Sequence, residues 1–320
     1  MIDVGEIKVA AVVVTYNRKK LLMECLNAIL RQSYPVSDIV IIDNASTDGT
    51  EVELKINGFF DDSRIHYFLL ENNIGGAGGF YEGIRKVGTY SADWIWIMDD
   101  DTIPMEDCLI ELLNGNKLIS NDLKNQRKIS FLASAIYGLH NEYMNLPMIS
   151  HKLADNGYEY WYQFLKDGMV NISSATFVSI LINMKAIKKC GYPCKEYFIW
   201  GDDWEYTRRL TKYYGDAYMV GASVAIHKRV GAKALSILNE SEWNRIDKYV
   251  NYYRNNLVNA YIYDGNLNYL KLIIKDILTG VQAIKSKNGI KKFYIIIKGI
   301  FESFFAKNRV KKYIDSQINI

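Results

Sequence analysis

Three consecutive acidic residues, Asp99, Asp100 and Asp101, follow the apolar run from Trp94 to Met98. Alternate residues of an extended chain project to the same side, so Asp99 and Asp101 can share one hard cation while Asp100 points away. A solvated acidic turn is the commoner explanation for a run of acids on a surface. Directly after a buried strand, however, three carboxylates repel one another unless a cation offsets the repulsion. The triplet therefore predicts a site for Mg²⁺ or Mn²⁺.

A second acidic group has the sequence GDDWE at residues 201–205 and is followed by Arg208 and Arg209. If a helix starts near Asp202, its dipole favours ionised acids in the first turn and keeps a carboxylate available as a base. The alternative is an acidic helix cap that pairs with Arg208 or Arg209. The Asp triplet elsewhere in the chain favours the first interpretation.

Two weaker signals accompany the acidic groups. The stretch GGAGG at residues 75–79 can bring the backbone close to a phosphate or a sugar, but it lacks the G-x-G-x-x-G spacing of a dinucleotide site. His227 ends a short apolar run, and a single histidine is more often a packing or surface group than a metal ligand. Neither signal assigns a function by itself.

Strands and helices alternate over the first part of the chain, and the polar groups follow the strands. The apolar runs predict buried strands at Val9–Val14, Ile39–Ile42, Ile65–Leu70 and Trp94–Met98. Helical patterns follow at Lys19–Gln32, from about Thr50, and from the glycine-rich stretch to about Val87. This order predicts an α/β fold with a mostly parallel central sheet flanked by helices. Ligands of such sheets bind beyond the carboxyl ends of the strands, so the polar groups should converge on one crevice.

The rest of the chain changes character twice. Short apolar runs such as Phe131–Ile136 and Thr176–Ile182 predict mixed strands separated by long loops. From about residue 239 the pattern is helical, over Trp243–Tyr263 and then Leu267–Phe305, where lysines alternate with Ile and Phe. Residues 291–305 are too few and too charged to span a bilayer, but they suit docking on an anionic membrane surface. A plain helical bundle or a dimerisation arm is an equal alternative.

Composition narrows the class of protein further. With 49% hydrophobic and 23% charged residues and four prolines, the 320 residues predict a globular protein. The net charge of +3 gives no reason to expect nucleic acid as a partner. The N-terminal residues carry acids before a short apolar run, which is typical of neither a secretory signal nor an anchor, so we expect a cytoplasmic protein. The four cysteines are expected to be reduced and structural.

The order of these motifs resembles the family 2 glycosyltransferases with the A-type nucleotide-sugar fold, over roughly residues 8–260. The motifs are TYNR at 15–18, DNAS-x-D-x-T at 43–50, NN-x-GG-x-GG at 72–79, DDD at 99–101, GDD-x-E at 201–205 and His227. The forms GG-x-GGF, DDD, WGDDWE and YYRNN at 252–256 look most like bacterial galactofuranosyltransferases. The rhamnosyltransferases share most of these features.

This resemblance implies an inverting, metal-dependent transfer from a nucleoside diphosphate sugar. UDP-galactofuranose is the first-choice donor, and the acceptor is expected to be a lipid-linked saccharide in cell-surface polysaccharide synthesis. A rhamnosyltransferase using dTDP-rhamnose, a non-catalytic sugar-nucleotide-binding assembly subunit and a nucleotidyltransferase are the alternatives. We expect the protein on the inner face of the plasma membrane, with self-association through its C-terminal helices as a further expectation.

The resemblance also assigns residues by motif position. Nucleotide-sugar contacts are expected from Thr15, Arg18, Asp43, Asn73, Gly76 and Asp100. The metal ion, Mn²⁺ or Mg²⁺, is expected on Asp99, Asp101 and His227. The general base is expected to be Asp203, with Asp202 as its rival. Acceptor contacts are expected from Trp200, Trp204 and Glu205, although core packing is an equal alternative for one of the two tryptophans.

The changes of pattern along the sequence divide the chain into two regions. Residues 1–238 are expected to form the glycosyltransferase domain, with a nucleotide half at about 1–128 and an acceptor half at about 129–238. Residues 239–320 are expected to form a C-terminal helical region, for which membrane association, a plain bundle and a dimerisation arm stay open.

Overall fold

The computed structural model describes residues 7–122, 127–229 and 234–318. The strands in these ranges are β1 (Val9–Thr15), β2 (Asp38–Asp43), β3 (Ile65–Leu69), β4 (Trp94–Asp99), β5 (Thr102–Pro104), β6 (Ile129–Tyr137), β7 (Tyr143–Met144), β8 (Met148–Ile149), β9 (Met169–Ser174), β10 (Ile180–Asn183) and β11 (Asp216–His227). The helices are α1 (Lys19–Leu30), α2 (Thr50–Ile56), α3 (Gly75–Val87), α4 (Cys108–Ser120), α5 (Met184–Cys190), α6 (Asp202–Tyr213), α7 (Trp243–Asn259), α8 (Gly265–Ala283) and α9 (Gly289–Gln317). The first six residues, which enter the prediction about the N-terminus, lie outside these ranges.

One mixed sheet runs through the molecule in the order β3-β2-β1-β4-β10-β6-β11-β9-β8, and its first four strands are parallel. All seven residues of β1 are buried because helices cover both faces of the sheet. Alternate residues of β1 contribute to two different core clusters, one shared with α1 and α4 and the other with α3, α5 and α6. The predicted mostly parallel sheet with flanking helices is confirmed.

The second part of the sheet is antiparallel where β10 joins it. β10 pairs in antiparallel fashion with both β4 and β6, and β11 pairs with β6 in parallel and with β5 and β9 in antiparallel fashion. The strand predicted over Thr176–Ile182 is too long, since β10 begins only at Ile180. Ser179 has a φ of 55° and its hydroxyl accepts a hydrogen bond from the indole of Trp96, so the chain turns at this residue.

The C-terminal helices form a bundle beside the sheet. The helix predicted over Trp243–Tyr263 is α-helical to Asn259 and ends in a wider turn at Ala260–Asp264. The single helical stretch predicted over Leu267–Phe305 is two helices, α8 and α9. Asn288, just before α9, adopts a φ of 59°, which interrupts the helical backbone. None of the helices in the described ranges has the length and apolar character needed to cross a bilayer.

Candidate functional site

The carboxylates that follow β4 lie beside a histidine at the end of β11. β5 comes directly after the Asp triplet and pairs with β11, so that His227 lies opposite Thr102 in the ladder. The amide of Lys228 donates to the carbonyl of Asp101 at 2.8 Å, which extends the pairing by one residue. The backbone ladder therefore places the His227 imidazole beside the Asp101 carboxylate, with Nε2 and Oδ1 3.1 Å apart.

Asp99, Asp101 and His227 form a group that fits a divalent cation. One ligand atom from each residue lies within 4.8 Å of the others. Oδ1 of Asp101 is buried and accepts no hydrogen bond from the described residues, so a carboxylate lone pair is left for another partner. Two carboxylates and one imidazole are ligands that Mn²⁺ and Mg²⁺ accept.

Asn145 holds the histidine ring in a defined orientation. Its side-chain oxygen lies 2.8 Å from Nδ1 of His227. Because an amide oxygen only accepts hydrogen bonds, it favours the tautomer with the proton on Nδ1. The lone pair of Nε2 then points toward Asp101, as in metal sites where a second residue orients the ligating imidazole.

The electrostatics of the triplet also favour a bound cation. Burial, followed by repulsion from Asp101 and Asp100, raises the pKa of Asp99 well above its usual value. Burial raises the pKa of Asp100 to about 6, although Arg18 opposes the shift. Burial alone would raise the pKa of Asp101 as well, but His227 and Arg18 outweigh it and the pKa is lowered. Burial and mutual repulsion thus disfavour full ionisation of the triplet, and a bound cation would offset this cost.

Arg18 and Thr15 contact the same triplet from the carboxyl end of β1. The Thr15 hydroxyl donates to Oδ2 of Asp100 at 2.7 Å. Nη1 of Arg18 lies 3.1 Å from Oδ1 of Asp100 and 2.8 Å from Oδ2 of Asp101. Asp100 therefore faces β1, whereas Asp99 and Asp101 face His227. Since half of the Arg18 side chain is exposed, it can also meet an anionic ligand.

The loops after β1 and β2 are joined by short polar side chains. The Asn17 side chain accepts from the amide of Thr47 at 2.7 Å, and the Ser46 hydroxyl accepts from the amide of Asn17 at 2.9 Å. Asp43 is almost fully buried, and its carboxylate accepts from the Ser46 amide and the Tyr67 hydroxyl. In this structure Asp43 stabilises the loop, and its nucleotide contact stays a prediction.

The glycine-rich stretch divides into packing residues and one open position. Gly75 has a φ of 77°, and a Cβ there would lie 2.0 Å from the carbonyl oxygen of Phe198. A Cβ on Gly79 would lie 2.4 Å from Val14, so this residue allows α3 to pack on β1. A Cβ on Gly76 would meet no atom of the described residues within 4 Å, which leaves space for a ligand. Asn73 is exposed and its side chain accepts from the Gly75 amide at 2.9 Å.

The second acidic group begins α6, as the sequence predicts. Gly201 precedes the helix with a φ of 91°, and Asp202 and Asp203 are its first two residues. Asp202 is buried and Asp203 is partly exposed. Burial raises the pKa of Asp203 to about 6, against hydrogen bonds from backbone amides that lower it. Burial, Asp101 and Asp100 raise the pKa of Asp99 most, and Asp202 adds to the same shift, so the start of α6 lies near the Asp triplet.

Helix α7 fixes the loop that leads into α6. Phe198 and Trp200 adopt positive φ values of 62° and 63°, which non-glycine residues rarely do. The Asn255 side-chain nitrogen lies within hydrogen-bond distance of the carbonyls of Tyr197, Ile199 and Trp200, at 3.0, 3.1 and 2.6 Å. These contacts, together with a hydrogen bond from Asn259 to the Gly201 carbonyl at 2.9 Å, hold the unusual backbone in place.

The three predicted acceptor residues have different surroundings. Glu205 is fully buried, and its carboxylate pairs with Arg209 at 2.8 Å and accepts from the Tyr263 hydroxyl. Because this carboxylate is buried and paired, it is not available to an acceptor. Glu205 instead forms the acid–arginine pair that was the alternative interpretation of this motif. Trp200 packs against Tyr249 of α7, with ring centroids 5.1 Å apart, while Trp204 is partly exposed.

Several residues of the site are not predicted from the sequence. Asn145 and Asn255 act through contacts with distant parts of the chain, which local spacing does not reveal. Asn44 bridges the loop after β2 to the glycine-rich stretch, through bonds with the Ile74 amide and the Gly75 carbonyl. Arg229 lies near Arg18 and Asp101, since both affect its pKa, which burial lowers. The signals present were the YYRNN motif for Asn255 and the basic pair after His227 for Arg229.

Comparison with known proteins agrees with this geometry. Residues 10–117 match the model of the family described as Glycosyl transferase family 2. Galactofuranosyltransferase GlfT1 of Mycolicibacterium smegmatis is 34% identical over 105 residues, which are 33% of this chain and 33% of that protein. The matched stretch thus spans about a third of the relative's length.

Solved structures extend the comparison to nearly the whole chain, at the level of the fold. Staphylococcus aureus TarS 1-349 in complex with UDP has a TM-score of 0.52 and 14% identity, covering 96% of this chain and 74% of that one. GalNAc-T7 with UDP, GalNAc and Mn²⁺ has a TM-score of 0.55 and 14% identity, covering 94% and 57%. The chain therefore has the A-type glycosyltransferase fold. Its residues 10–117 are similar to family 2 glycosyltransferases, and a galactofuranosyltransferase is among the proteins that this stretch resembles.

Proposed function

We propose that this protein is an inverting, metal-dependent glycosyltransferase that transfers galactofuranose from UDP-galactofuranose to a lipid-linked glycan in cell-surface polysaccharide synthesis. The observation that carries the proposal is the separation of the acids into two groups. Asp99 and Asp101 lie with His227 as a ligand group, whereas Asp202 and Asp203 begin a separate helix and do not belong to that group. Two tasks, charge stabilisation and proton abstraction, need such separate carboxylates.

On the donor side, Asp99, Asp101 and His227 would hold Mn²⁺ or Mg²⁺. When bound, the ion would offset the negative charge of the departing diphosphate. Arg18 is half exposed beside the ligand group and would bind a diphosphate oxygen. Thr15, Asp43, Asn73, Gly76 and Asp100 complete the proposed donor site, in which Asp100 acts by orienting Arg18 and Thr15.

On the acceptor side, Asp203 would remove the proton from the acceptor hydroxyl. The hydroxyl oxygen forms a bond to the anomeric carbon as the bond from that carbon to the diphosphate breaks, and UDP leaves with the electron pair. Attack from the face opposite the leaving group inverts the anomeric centre. Partial exposure supports Asp203 as the base, since Asp202 is 6% exposed. Trp200 and Trp204 are the proposed acceptor contacts, and Glu205 is not one of them.

The identity of the donor is supported by the relatives. GlfT1 is named as a galactofuranosyltransferase, and the TarS and GalNAc-T7 structures contain UDP. Rhamnose transfer from dTDP-rhamnose is the second candidate, because the rhamnosyltransferases share most of the same motifs. The proposal also includes a lipid-linked acceptor and a location at the inner face of the plasma membrane. It further includes a nucleotide half and an acceptor half that divide at about residue 128.

The donor is tested by thermal shift with nucleotides, with and without Mn²⁺. We expect UDP and Mn²⁺ together to raise the Tm more than the sum of their separate effects, because an ion held by Asp99, Asp101 and His227 would strengthen binding of the diphosphate. A larger shift with dTDP than with UDP would favour rhamnose.

Catalysis is tested with Asp203→Asn and the matched control Asp167→Asn, which changes an exposed acid. We expect Asp203→Asn to bind UDP normally and to transfer no sugar from UDP-galactofuranose, while the control transfers normally. Unchanged turnover in Asp203→Asn would contradict its assignment as the base. Release of diphosphate from a nucleoside triphosphate would indicate a nucleotidyltransferase instead.

A further inference from the structure

Helices α8 and α9 carry stripes of exposed apolar side chains. On α9, residues at helical spacing are exposed by between 37% and 81% of their surface: Ile290, Tyr294, Ile297, Phe301, Phe304 and Phe305. On α8, a matching stripe is 40% to 66% exposed: Leu267, Leu270, Ile274, Ile277, Leu278 and Val281. Residues three and four apart share one side of a helix, so each stripe is a continuous apolar surface.

The two stripes belong to neighbouring helices. Gly280 of α8 lies against Phe293 and Ile296 of α9, so the helices run side by side. Gly299 of α9 lies so close to α7 that an added Cβ would be 2.7 Å from Tyr253. The inward residues of α8 and α9 pack with α7, and the stripes lie on the sides turned away from it. We call the two stripes together the apolar face.

Positive charge is concentrated on the same two helices. From Gly265 to Gln317 there are eleven Lys and Arg and three Asp and Glu, a net charge of +8, although the whole chain carries +3. The rest of the chain is therefore acidic, with a net charge of −5. Exposed lysines lie on or between the helices: Lys271, Lys275, Lys285, Lys287, Lys298, Lys311 and Lys312.

One end of the apolar face has aromatic residues typical of a membrane interface. Trp243 and Tyr294 are 58% and 61% exposed, and they line a shallow groove with Ile290. The ammonium group of Lys291 lies 3.9 Å from the centroid of the Trp243 ring. Trp, Tyr and Lys at the edge of an apolar surface match the boundary between acyl chains and headgroups.

We propose that the apolar face docks the protein on a lipid bilayer with anionic headgroups. The apolar stripes would enter the headgroup and upper acyl region, and the lysines would contact lipid phosphates. A second copy of the chain is a poorer occupant, because pairing two such faces brings together two segments that each carry a formal net charge of +8. This inference deepens the membrane location in the proposed function by naming the surface that docks, but it does not depend on sugar transfer, since docking needs neither donor nor acceptor.

The test is flotation of the full-length protein with vesicles, and it uses surface variants that leave the packing between α7 and α9 intact. Neutral phosphatidylcholine vesicles are compared with vesicles that also contain phosphatidylglycerol. We expect binding to the anionic vesicles and at least about fivefold weaker binding to neutral ones, since each lysine near an anionic surface contributes about fivefold.

Two variants separate the apolar and the charged contributions. Phe301→Ser/Phe305→Ser should weaken binding by roughly tenfold or more, because each phenylalanine loses apolar burial. Lys271→Gln/Lys275→Gln/Lys285→Gln should weaken binding to anionic vesicles by on the order of a hundredfold. The matched controls are Val52→Ser/Ile56→Ser, exposed on α2, and Lys55→Gln/Lys166→Gln/Lys185→Gln, and both should bind as the unchanged protein does.

Two results would overturn the proposal. One is failure of the folded protein to float with anionic vesicles, whether it is monomeric or not. The other is a dimer in analytical ultracentrifugation that dissociates in Phe301→Ser/Phe305→Ser while vesicle binding is unchanged, which would assign the apolar face to a second copy. Loss of sugar transfer with vesicle binding intact would count against the proposed function and not against this one.

Discussion

The side-chain nitrogen of Asn255 lies 2.6 Å from the carbonyl oxygen of Trp200, and this contact ties a C-terminal helix to the loop before the proposed base. The loop has positive φ values at Phe198, Trp200 and Gly201. Backbone in such a conformation persists only where its surroundings hold it. The position of Asp202 and Asp203 therefore depends on a residue that touches neither of them in the described contacts.

Asn255→Ala should lower kcat without weakening UDP binding. Loss of the amide leaves three carbonyls without this donor and allows the loop to relax, which moves the first turn of α6. We expect a decrease in kcat of roughly a hundredfold, comparable with other losses of catalytic orientation. Steady-state kinetics and calorimetry with UDP measure the two effects, and Asn251→Ala on the same helix is the control. An equal fall in UDP affinity would show that Asn255 supports the fold in general.

The pH dependence of kcat/KM should show an acid limb. Burial raises the pKa of Asp203 to about 6, so below that pH its carboxylate is protonated and cannot accept the acceptor proton. We expect kcat/KM to fall about tenfold for each pH unit below about 6. UDP and Mn²⁺ binding, measured over the same range, separates this effect from loss of the metal. A flat profile down to about pH 5 would contradict the assignment.

Asn145→Ala should weaken Mn²⁺ binding although Asn145 is not in the ligand group. Without its oxygen, the His227 ring is free to rotate or to carry its proton on Nε2. The expected loss is about 10-fold to 100-fold in affinity, measured by calorimetry. Asn57→Ala, at an exposed asparagine after α2, is the control. Affinity equal to that of the unchanged protein would mean that His227 does not bind the ion or does not need this support.

Gly75→Ala and Gly76→Ala should behave differently. At Gly75 the added carbon meets the Phe198 carbonyl and the φ of 77° is unfavourable, so we expect a lower Tm. At Gly76 the added carbon has open space on a helix, so the Tm should be unchanged or higher. If the donor approaches Gly76, the second variant should nevertheless bind UDP-galactofuranose more weakly. Normal donor binding in Gly76→Ala would remove this residue from the proposed site.

Asp276→Asn should stabilise the protein in a pH-dependent way. Asp276 is 7% exposed, its Oδ2 has no hydrogen-bond partner among the described residues, and burial raises its pKa to about 7. The folded state therefore holds this proton more tightly than the unfolded state, and stability falls as the pH rises from about 4 to about 7. Relative to the unchanged protein, we expect a gain of about 1–4 kcal/mol above pH 7 and little gain near pH 4.

Denaturant unfolding at both pH values measures this difference, with Asp315→Asn on the exposed side of α9 as the control. A gain of the same size at the two pH values would mean that the variant acts through packing and not through the charge of Asp276.

The order of strands and the ligand pair could be predicted because their signals are local. β-branched runs define β1 and β2, and alternation along an extended chain separates Asp100 from its two neighbours. His227 joins the ligand group only through the pairing of β5 with β11. This pairing could not be predicted from the sequence, because β5 has only three residues. The family resemblance, and not the spacing, predicted its role.

Glu205 shows where a motif taken as a unit misleads. The sequence GDDWE offered a base or an acidic helix start that pairs with an arginine, and the structure contains that pairing at Glu205 and Arg209. Asp203 and Glu205 are two residues apart and point to different sides of the helix, so one interpretation does not serve all the acids of the motif. Asn255 and Asn145 could not be assigned in this way, since their partners are far away in the chain.

Helix α7 contacts two different parts of the molecule, and one of them is α9, through the close approach of Gly299 to Tyr253. This helix packs against α9, whose outer surface is apolar. It also donates a hydrogen bond to the loop before α6, which has the positive φ values. Helix α7 is thus the element that connects the packing of α9 with the backbone conformation just before the acidic pair.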